Sequence, residues 1–396
     1  MLKNRAYKYR FYPTKDQKQI LAKTFGCVRY VYNWGLQLKR ETYRNEGQKL
    51  SYNDLSKRLT ALKRQKEMVW LCEVSSVPLQ QSLRHLDTAF TNFFQGRAKY
   101  PTFHTKHQKQ SATFASNAFT WDGKHLTLGK GKKGEPLNIR WTVGKRDKSG
   151  KRARHIFREK PTSITVSMDA AGRYFVSFTT KEEIPEAPKC EREIGIDLGL
   201  KDAVILSTGE KVGNPRFFRK DEKKLARTQR SFARKQKGSK NQAKAKRKVA
   251  RIHARIADRR NDFIHKLTTK LIDENQVIAV ESLRVKNMMN NHHLAKSIAD
   301  VGWGELVRQL EYKAQWYGRT VVKIDTFYPS SKTCSKCGHV MDEMPLQVRQ
   351  WICPECHTQH DRDINAARNV LAAGHAVIAC GESVRPTRQR RTRRVG

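Results

Sequence analysis

Two closely spaced pairs of cysteines restrict how the region near the end of the chain can fold. The segments "CSKCG" (334–338) and "CPEC" (353–356) give two Cys-x2-Cys pairs separated by fifteen residues. This spacing is typical of a zinc ribbon, in which two tight turns hold one tetrahedral ion. Four thiolates leave no open position on the ion, so we predict one structural Zn2+ bound by Cys334, Cys337, Cys353 and Cys356. The alternative is four free cysteines on two loops. His339, His357 and His360 would lie outside the ligand set.

An acidic residue interrupts an apolar strand in the middle of the sequence. The stretch "EREIGIDLGLKDAV" (191–204) predicts a buried strand, a glycine turn and a second strand, with Asp197 inside the first apolar run. An ionised carboxylate in a dry strand is costly unless it is paired or binds a metal. "VIAVES" places Glu281 at the end of another apolar strand, and "HDRDINAARNVL" (360–371) places Asp361 and Asp363 near a helix start.

Each of these acids also has an ordinary structural explanation when it is taken alone. Asp197 could cap a turn, Glu281 could pair with an arginine, and Asp361 or Asp363 could cap the helix. Taken together, they fit a ribonuclease-H-like fold, where strands one and four lie side by side and a helix supplies a third acid. Three carboxylates around one centre repel each other unless cations lie between them. We therefore predict Mg2+ there, since it prefers oxygen ligands, and two such ions can cleave a phosphodiester.

Hydrophobic periodicity divides the chain into segments. It predicts a strand at 4–13, helices from Thr14, as N-cap, to about 95, strands from about 108 to 180, and a linker at 181–190. A basic helical region follows from 215 to 275, with a turn at "KGSKN" (237–241). Its apolar stripe consists of Val249, Ile252, Ile256, Phe263, Leu267 and Leu271. Its basic face, which we interpret as a phosphate-binding surface, consists of Arg247, Lys248, Arg251, Arg255 and Arg259.

The charge of the chain indicates a polyanionic partner. Eighty Lys and Arg against thirty-seven Asp and Glu give a formal net charge of +43 over 396 residues. Such an excess repels itself in a free compact protein, and nucleic acid is the leading partner because its phosphates can neutralise it. An anionic membrane surface is less favoured, because the basic residues are spread along the chain. No run approaches ~18 apolar residues, so we expect no membrane span.

The start of the chain has no apolar signal-peptide core, so we expect a cytosolic protein. Thiols stay reduced there. Cys27, Cys72, Cys190 and Cys380 are accordingly interpreted as buried reduced thiols.

Several of these motifs together resemble TnpB, the nuclease encoded by small bacterial insertion sequences and related to type V CRISPR effectors. The resemblance covers nearly the whole chain except the tail. The segments that carry it in the second half are "GIDLGLKD", "VIAVESL", "GWGELVRQLEYKAQWYG", "SSKTCSKCG" and "WICPECHTQHDRDINAARNVL". Those in the first half are "YRFYPTKDQ", "VRYVYNWGL", "WLCEVSSVPLQQSL" and "NFF".

The resemblance implies an α+β multidomain fold. A wedge β-barrel at 1–13 and 108–188 would carry a helical recognition lobe inserted at 14–107. A RuvC-type, ribonuclease-H-like α/β nuclease domain at 189–325 and 359–380 would be interrupted by the zinc ribbon at 326–358. The basic tail at 381–396 is expected to be disordered.

The resemblance also implies an RNA-guided, Mg2+-dependent DNA endonuclease of the two-metal RuvC type. Asp197, Glu281 and Asp363 would be the catalytic acids; Asp363 is preferred to Asp361 because it directly precedes the family pattern in "DINAA". The partners would be a guide RNA from the transposon end and double-stranded target DNA beside a transposon-adjacent motif. We expect one protein monomer in the ribonucleoprotein, located in the bacterial cytoplasm and on the nucleoid when bound to DNA. The expected motif readers are Tyr52, Ser76, Gln80, Ser116 and Asn117.

Three other functions compete with this one. The first is a non-cutting RNA-guided regulator with the same architecture, which would differ only at the acids. The second is a transposase that cuts and joins transposon ends directly. The third is a basic structural protein of the ribosome or chromatin, which would explain the charge but not the acids.

Overall fold

The computed structural model describes residues 2–106, 109–130, 135–146, 152–155, 159–345 and 347–380. Contacts between residues divide the chain into two compact units. Unit 1 comprises the described residues up to Glu183 together with Lys246–Arg251. Unit 2 comprises Ile184–Ala245 and the described residues from Ile252 onward. The tail predicted at 381–396 lies outside the described residues.

The helical part of unit 1 follows the predicted periodicity. It consists of α1 (Lys15–Glu46), α2 (Tyr52–Leu62) and α3 (Ser76–Phe94), with a 3-10 helix at Lys66–Glu73. Thr14 caps α1 as predicted: its hydroxyl accepts a bond from the Gln17 backbone, and the Gln17 side chain accepts one from the Thr14 backbone. The helices share a buried core that includes Val31, Leu36, Leu55, Leu71, Leu79 and Leu83.

An antiparallel sheet forms the rest of the regular structure in unit 1. The strands of this unit are β1 (Leu2–Phe11), β2 (Gln110–Ala115), β3 (Phe119–Trp121), β4 (Leu126–Leu128), β5 (Ile139–Arg140), β6 (Thr142–Arg146), β7 (Arg152–His155), β8 (Ser163–Met168) and β9 (Tyr174–Glu183). Five of them pair in the order β2-β8-β9-β1-β5, while β3 pairs with β4 and β6 with β7. A hairpin joins β8 and β9, with the Gly172 N–H donating to the Asp169 carbonyl. Closure of the sheet into a barrel stays a prediction.

The core of unit 2 is a mixed five-stranded sheet. Its strands are β10 (Glu193–Asp197), β11 (Asp202–Leu206), β12 (Lys211–Gly213), β13 (Val277–Glu281) and β14 (Thr320–Ile324). Their order is β12-β11-β10-β13-β14. Strands β10, β13 and β14 run parallel to one another, and β11 runs antiparallel to both of its neighbours, β10 and β12. The first and fourth strands are therefore neighbours, as the ribonuclease-H-like fold requires. Buried aliphatic side chains cover the sheet, as expected where parallel strands lie in its interior.

Helices surround this sheet and connect its strands. They are α4 (Phe217–Ala233), α5 (Lys240–Glu274), α6 (Val285–Met288), α7 (His292–Val301), α8 (Trp303–Tyr317) and α9 (Arg362–Ala379). A short hairpin of β15 (Gln350–Ile352) and β16 (Gln359–Asp361) precedes α9. On α5, Ile252, Ile256, Leu267 and Leu271 are buried, while Val249 and Phe263 are half-buried, so the predicted stripe is confirmed. All five basic residues predicted on its other face are exposed.

Two expectations from the sequence need correction. Strand β9 continues through Glu183, so the first three residues of the predicted linker belong to a strand. Of the four cysteines outside the metal pattern, Cys27 is buried, but Cys72 and Cys380 are exposed and Cys190 is half-buried. Cys72 and Cys380 lie at the ends of helical segments, where fewer neighbours cover the side chain. Among the described helices, none has both the length and the apolar composition needed to cross a bilayer.

Candidate active site and metal centre

Two of the predicted acids lie at the carboxyl ends of neighbouring parallel strands. Ile196 of β10 is opposite Val280 of β13, and the next residues in each strand are Asp197 and Glu281. Both side chains are half-buried at this edge of the sheet. In open α/β sheets, ligands bind at the carboxyl ends of the strands. The parallel register therefore brings together two carboxylates that are 84 residues apart in the sequence.

Helix α9 brings the third acid to the same edge. Asp361 is the N-cap of α9, where its carboxylate accepts bonds from the N–H groups of Asp363 and Ile364, both at 3.1 Å. Its other oxygen accepts a bond from Lys211 Nζ at 2.6 Å. Burial raises the pKa of Asp361, but the Lys211 ammonium and these N–H groups outweigh it, so the pKa is lowered. Asp361 is thus engaged in capping, whereas the Asp363 carboxylate acts electrostatically on Asp197 and accepts a bond from Arg349 Nη1 at 3.3 Å.

Close packing of α9 against the sheet determines where Asp363 lies. Gly195 of β10 is so near α9 that an added Cβ would lie 2.0 Å from the Ala367 carbonyl oxygen and 2.7 Å from the Leu371 nitrogen. A Cβ at Gly374 would lie 2.6 Å from the Ala279 Cβ on β13. One glycine on the sheet and one on the helix therefore allow the backbones to approach. Gly195 is two residues before Asp197, and Ala367 is one turn after Asp363.

The three acids interact electrostatically. Burial, the Glu281 carboxylate and the Asp363 carboxylate, in that order of effect, together raise the pKa of Asp197 from 3.8 to about 7. The hydrogen bond from the Leu198 N–H acts in the opposite direction but is weaker. The Arg362 guanidinium also lowers this pKa, with a still smaller effect. A buried acid with two like charges nearby is a typical binding site for divalent metal ions.

A serine hydroxyl bonds Glu281, and two asparagines of α9 bond the segment that leads into the cysteine pattern. The Ser330 hydroxyl donates to Glu281 Oε1 at 2.6 Å, so Glu281 is oriented by a hydroxyl and not by an arginine. The buried amide of Asn369 donates to the carbonyls of Ser330 and Thr333 at 2.7 and 2.6 Å. Asn365, also buried, donates to Thr333 O at 2.7 Å and accepts from the Ser335 N–H at 3.0 Å. Residues 330–335 thus contact both Glu281 and the first turns of α9.

The four cysteines of the sequence pattern form one cluster. The Sγ atoms of Cys334, Cys337, Cys353 and Cys356 all lie within 4.8 Å of one another. Two of the Sγ–Sγ distances, Cys334–Cys356 and Cys337–Cys353, are 3.6 Å. A tetrahedral zinc site with Zn–S bonds of about 2.3 Å requires sulfur atoms roughly 3.8 Å apart. A hydrogen bond with Thr358 lowers the pKa of the Cys356 thiol, whereas burial and the neighbouring thiols raise the pKa of Cys337, so without an ion the cluster does not hold four thiolates.

His360 connects the cysteine cluster to the start of α9. Its Nε2 lies 3.0 Å from Cys334 Sγ, and its ring packs on Trp351 with centroids 4.7 Å apart. Burial lowers the pKa of His360, so its neutral ring can donate an N–H to the Cys334 thiolate. Asp361 is the next residue and caps α9. His360 thus contacts a cysteine sulfur, and its place outside the zinc ligand set stays a prediction.

A cavity of about 780 Å3 opens beside Glu281. Its walls include Arg284, Trp303 and Asp325. The Arg284 guanidinium lies 5.1 Å above the ring of Phe327, whose side chain is 77% exposed. A cation and an exposed ring beside a cluster of acids can contact the phosphates and bases of a nucleic-acid strand.

The predicted motif readers all lie in unit 1. Ser76, Gln80, Ser116 and Asn117 are exposed, and Tyr52 is half-buried at the start of α2. Ser76 and Gln80 are one turn apart on α3, and the next residue on that face is Arg84, whose guanidinium lies 4.5 Å above the Tyr52 ring. Ser116 and Asn117 form a turn directly after β2. Their role in reading DNA stays a prediction.

Sequence reasoning missed several residues that organise the acidic site: Gly195, Ser330, Asn365 and Asn369. Of these, only the two asparagines could have been recognised from the sequence, since they are four residues apart and would share one face of a helix. Ser330 and Gly195 act on residues that are distant in the sequence, so no local pattern could have indicated them.

Comparison with known proteins gives consistent matches along the chain. Residues 161–292 match a family described as "Probable transposase", residues 303–370 match a "Cas12f1-like, TNB domain", and residues 1–48 match a "Helix-turn-helix domain". In this structure, the last segment forms strand β1 and the single long helix α1.

Whole-chain relatives are also similar. A "Putative RNA-guided DNA endonuclease" of Streptomyces pristinaespiralis is 50% identical over 97% of this chain and 93% of its own length. A "Putative RNA-guided DNA endonuclease InsQ" of Escherichia coli is 33% identical over 99% of this chain and 98% of its own length. The protein in a cryo-EM structure of a Cas12f1–sgRNA–target DNA complex matches with a TM-score of 0.55 at 14% identity, over 93% of this chain and 98% of that one. That structural match concerns the fold.

Proposed function

The chain belongs to the TnpB-like family of transposon-associated proteins, and we propose on this premise that it is an RNA-guided, Mg2+-dependent DNA endonuclease. It would cut DNA that matches a guide RNA and lies beside a short transposon-adjacent motif. The observation that carries the proposal is the convergence of Asp197, Glu281 and Asp363 at the carboxyl edge of the sheet. Burial and then repulsion from the other two acids raise the pKa of Asp197, and a divalent cation bound there would offset both effects.

The three acids fit Mg2+ because all of them offer carboxylate oxygens. Two such ions held there would supply the chemistry that activates a water molecule and stabilises the leaving oxygen of a phosphodiester. The protein holds Glu281 in position through Ser330, and it holds Asp363 through the close contact of α9 with Gly195. Asp197 gives up its proton when the site is filled, since a ligating carboxylate must be ionised. The cavity beside Glu281 would receive the DNA strand.

The cysteine cluster would hold one structural Zn2+ and would act on the acids indirectly. Four sulfur ligands leave no position for substrate. The segment 330–335 contains the first zinc ligand, and it contacts Glu281 as well as Asn365 and Asn369 of α9. Loss of the ion should therefore displace two of the three acids.

The RNA and the DNA would be bound by the basic surfaces. The exposed cations of α5 offer one continuous face for phosphates. We further propose the wedge, lobe, nuclease and ribbon boundaries given above, motif reading by Tyr52, Ser76, Gln80, Ser116 and Asn117, and one monomer per ribonucleoprotein. Cytoplasmic location, with nucleoid association when DNA is bound, belongs to the same proposal.

The first experiment is to purify the chain from cells and sequence the RNA bound to it. One discrete RNA with a variable guide segment would support the proposal, and a matched DNA target would then be offered with Mg2+. A mixture of random cellular RNA would contradict it. If the wild-type protein binds the matched DNA without cutting it, the result would instead favour a guided regulator. Joining of transposon ends by protein free of RNA would favour the direct transposase that one family description suggests.

Two neighbouring acids provide a matched control for the cleavage assay. Asp363→Asn should abolish cutting, because a neutral amide is a poor Mg2+ ligand. Asp361→Asn should cut at close to the wild-type rate, because asparagine is as good an N-cap as aspartate and the lost ion pair with Lys211 is partly exposed. Equal loss in both variants, or cutting by Asp197→Ala, would show that the acids are assigned wrongly.

A further inference from the structure

An aromatic groove lies in unit 1, on residues that the nuclease mechanism does not use. It has a volume of about 1030 Å3 and lies where α1 and α3 end. Four of the rings in its walls are exposed: Tyr43 is 59% exposed, Phe94 71%, Tyr100 40% and Phe103 43%. Large aromatic side chains grouped at a surface indicate a binding site, because a protein gains nothing by leaving them in water.

The groove is formed by the packing of α1 against α3. Gly35 of α1 allows α3 to approach, since a Cβ there would lie 2.8 Å from Leu83 Cδ2. One turn further along both helices, Lys39 Nζ contacts Asp87 Oδ1 at 3.1 Å and lies 5.2 Å from the Phe90 ring centroid. Beyond this point the helices continue as the two walls of the groove.

The segment after α3 folds back onto α1 and completes the wall. His104 stacks on Tyr32 with centroids 3.8 Å apart. The Asn33 side chain bonds the His104 backbone twice, at 2.8 and 3.0 Å. This anchor leaves Tyr100 edge-on to Phe90 and Phe93, at 5.5 and 5.2 Å between centroids. The rings are therefore held in place before any ligand arrives.

The charges of the groove select the ligand. The Arg40 guanidinium lies 5.8 and 5.6 Å from the Tyr100 and Phe103 centroids, and Arg44 and Lys49 add two more cations. Exposed rings interleaved with cations form the stacking platform that single-stranded nucleic acids use, the rings contacting bases and the cations contacting phosphates. A duplex would present only its backbone to such rings. The groove therefore fits unpaired nucleotides.

Two carboxylates in the same groove favour RNA over DNA. Asp87 and Glu41 line it among the cations, and a carboxylate repels phosphate but accepts hydrogen bonds from hydroxyl groups. The ribose 2′-hydroxyl is the donor that distinguishes RNA from DNA. We propose that this groove binds unpaired bases of the RNA partner. The choice of RNA as the ligand rests on the function proposed above, whereas the proposal that unpaired bases stack on the rings does not depend on that function.

The test uses the full-length chain and a single-stranded oligouridylate of about eight nucleotides carrying 5-bromouridine. Ultraviolet crosslinking followed by mass spectrometry locates the contact. We expect crosslinks on peptides that contain Tyr43, Phe94 or Tyr100, and fewer with the same sequence as duplex RNA or as single-stranded DNA. Crosslinks confined to other peptides would overturn the proposal, and equal crosslinking by single-stranded DNA would overturn the choice of RNA.

Substitutions separate stacking from general apolar contact. Phe94→Leu should lower the crosslink yield at the groove by about 5- to 150-fold, the range measured for loss of one stacked base, while Phe94→Tyr should retain it. Tyr43→Leu and Tyr43→Phe form a second pair. Both positions are more than half exposed, so the fold should tolerate these changes, which thermal unfolding would verify. Unchanged yield in both leucine variants would overturn the proposal.

Guided cleavage by the same preparations distinguishes the two proposals. If the wild-type protein cleaves guided targets but forms no crosslinks at the groove, the nuclease function is supported and the proposed RNA binding by the groove is refuted. Crosslinks at the groove without any guided cleavage would support the groove and refute the nuclease function.

Discussion

Replacing Gly195 by alanine tests whether the approach of α9 to the sheet sets the acidic site. The new Cβ would lie 2.0 Å from the Ala367 carbonyl oxygen, whereas ordinary contacts begin at 3.4 Å, so the atoms must separate by the difference, 1.4 Å. Both nearest atoms belong to the α9 backbone, which cannot rotate away as a side chain can. The helix must therefore move as a body and carry Asp363 with it.

The expected effects follow from that displacement. A catalytic group needs to be held within about 0.5 Å, and a shift of about 1 Å costs on the order of 10²-fold in rate. We expect cleavage by Gly195→Ala to fall by roughly 10²-fold. Overpacking should lower the free energy of unfolding by about 1–3 kcal/mol. Binding of RNA should change little, because the basic faces lie on other elements.

The assay is guided cleavage under single-turnover conditions, with thermal unfolding and RNA content measured on the same sample. Gly213→Ala is the matched control: it lies in edge strand β12 of the same sheet, and an added Cβ there meets no atom within 4 Å. A folded Gly195→Ala protein that cleaves as fast as Gly213→Ala would refute the reasoning.

Four further changes should have distinct outcomes. Gly374→Ala should reduce stability and cleavage, because the added Cβ would lie 2.6 Å from the Ala279 Cβ. The size-swapped double variant Gly374→Ala/Ala279→Gly should recover both. If unfolding and cleavage assays show no recovery, this contact does not explain the loss. Cys334→Ser/Cys356→Ser should lose bound zinc, measured by elemental analysis, and at least about 10-fold in cleavage, whereas full activity would show that the ribbon does not position the acids. In metal-free protein, the Asp197 pKa of about 7 against 3.8 when unfolded means that the native state binds more protons between these values, so stability falls as pH rises through this window. Asp197→Asn should remove this loss, on the order of 3 kcal/mol between pH 5 and pH 8, in unfolding curves at those two pH values, and an unchanged pH dependence would contradict the assignment. RNA affinity should fall steeply and log-linearly with salt, and a flat salt titration would exclude phosphate contacts as its main source.

Local patterns in the sequence were sufficient for much of the fold. The helical periodicity located the regions that contain α1, α3 and α5, and the predicted strand before Pro13 corresponds to β1, because these signals depend only on neighbours within one or two turns. The cysteine spacing identified the whole cluster, since each pair of cysteines lies on one turn. Two of the three acids were evident because Asp197 interrupts an apolar strand and Glu281 ends one.

The choice between Asp361 and Asp363 required the structure or a family resemblance. Both are first-turn acids of the same helix, and sequence alone permits either to face the sheet. The structure uses Asp361 as the N-cap, bonded to two backbone N–H groups and to Lys211, which leaves Asp363 for the acidic site.

Contacts between distant residues were beyond the sequence. Ser330 reaches Glu281 across 49 residues, and Gly195 meets Ala367 only because α9 packs on β10. The aromatic groove likewise depends on the Asn33–His104 anchor, 71 residues apart. The sequence by itself determined which elements form and which residues can bind metal, because those properties are local. Tertiary structure decided which acids meet, what orients them and which rings stay exposed, because these depend on backbone approach and register between elements far apart in the chain.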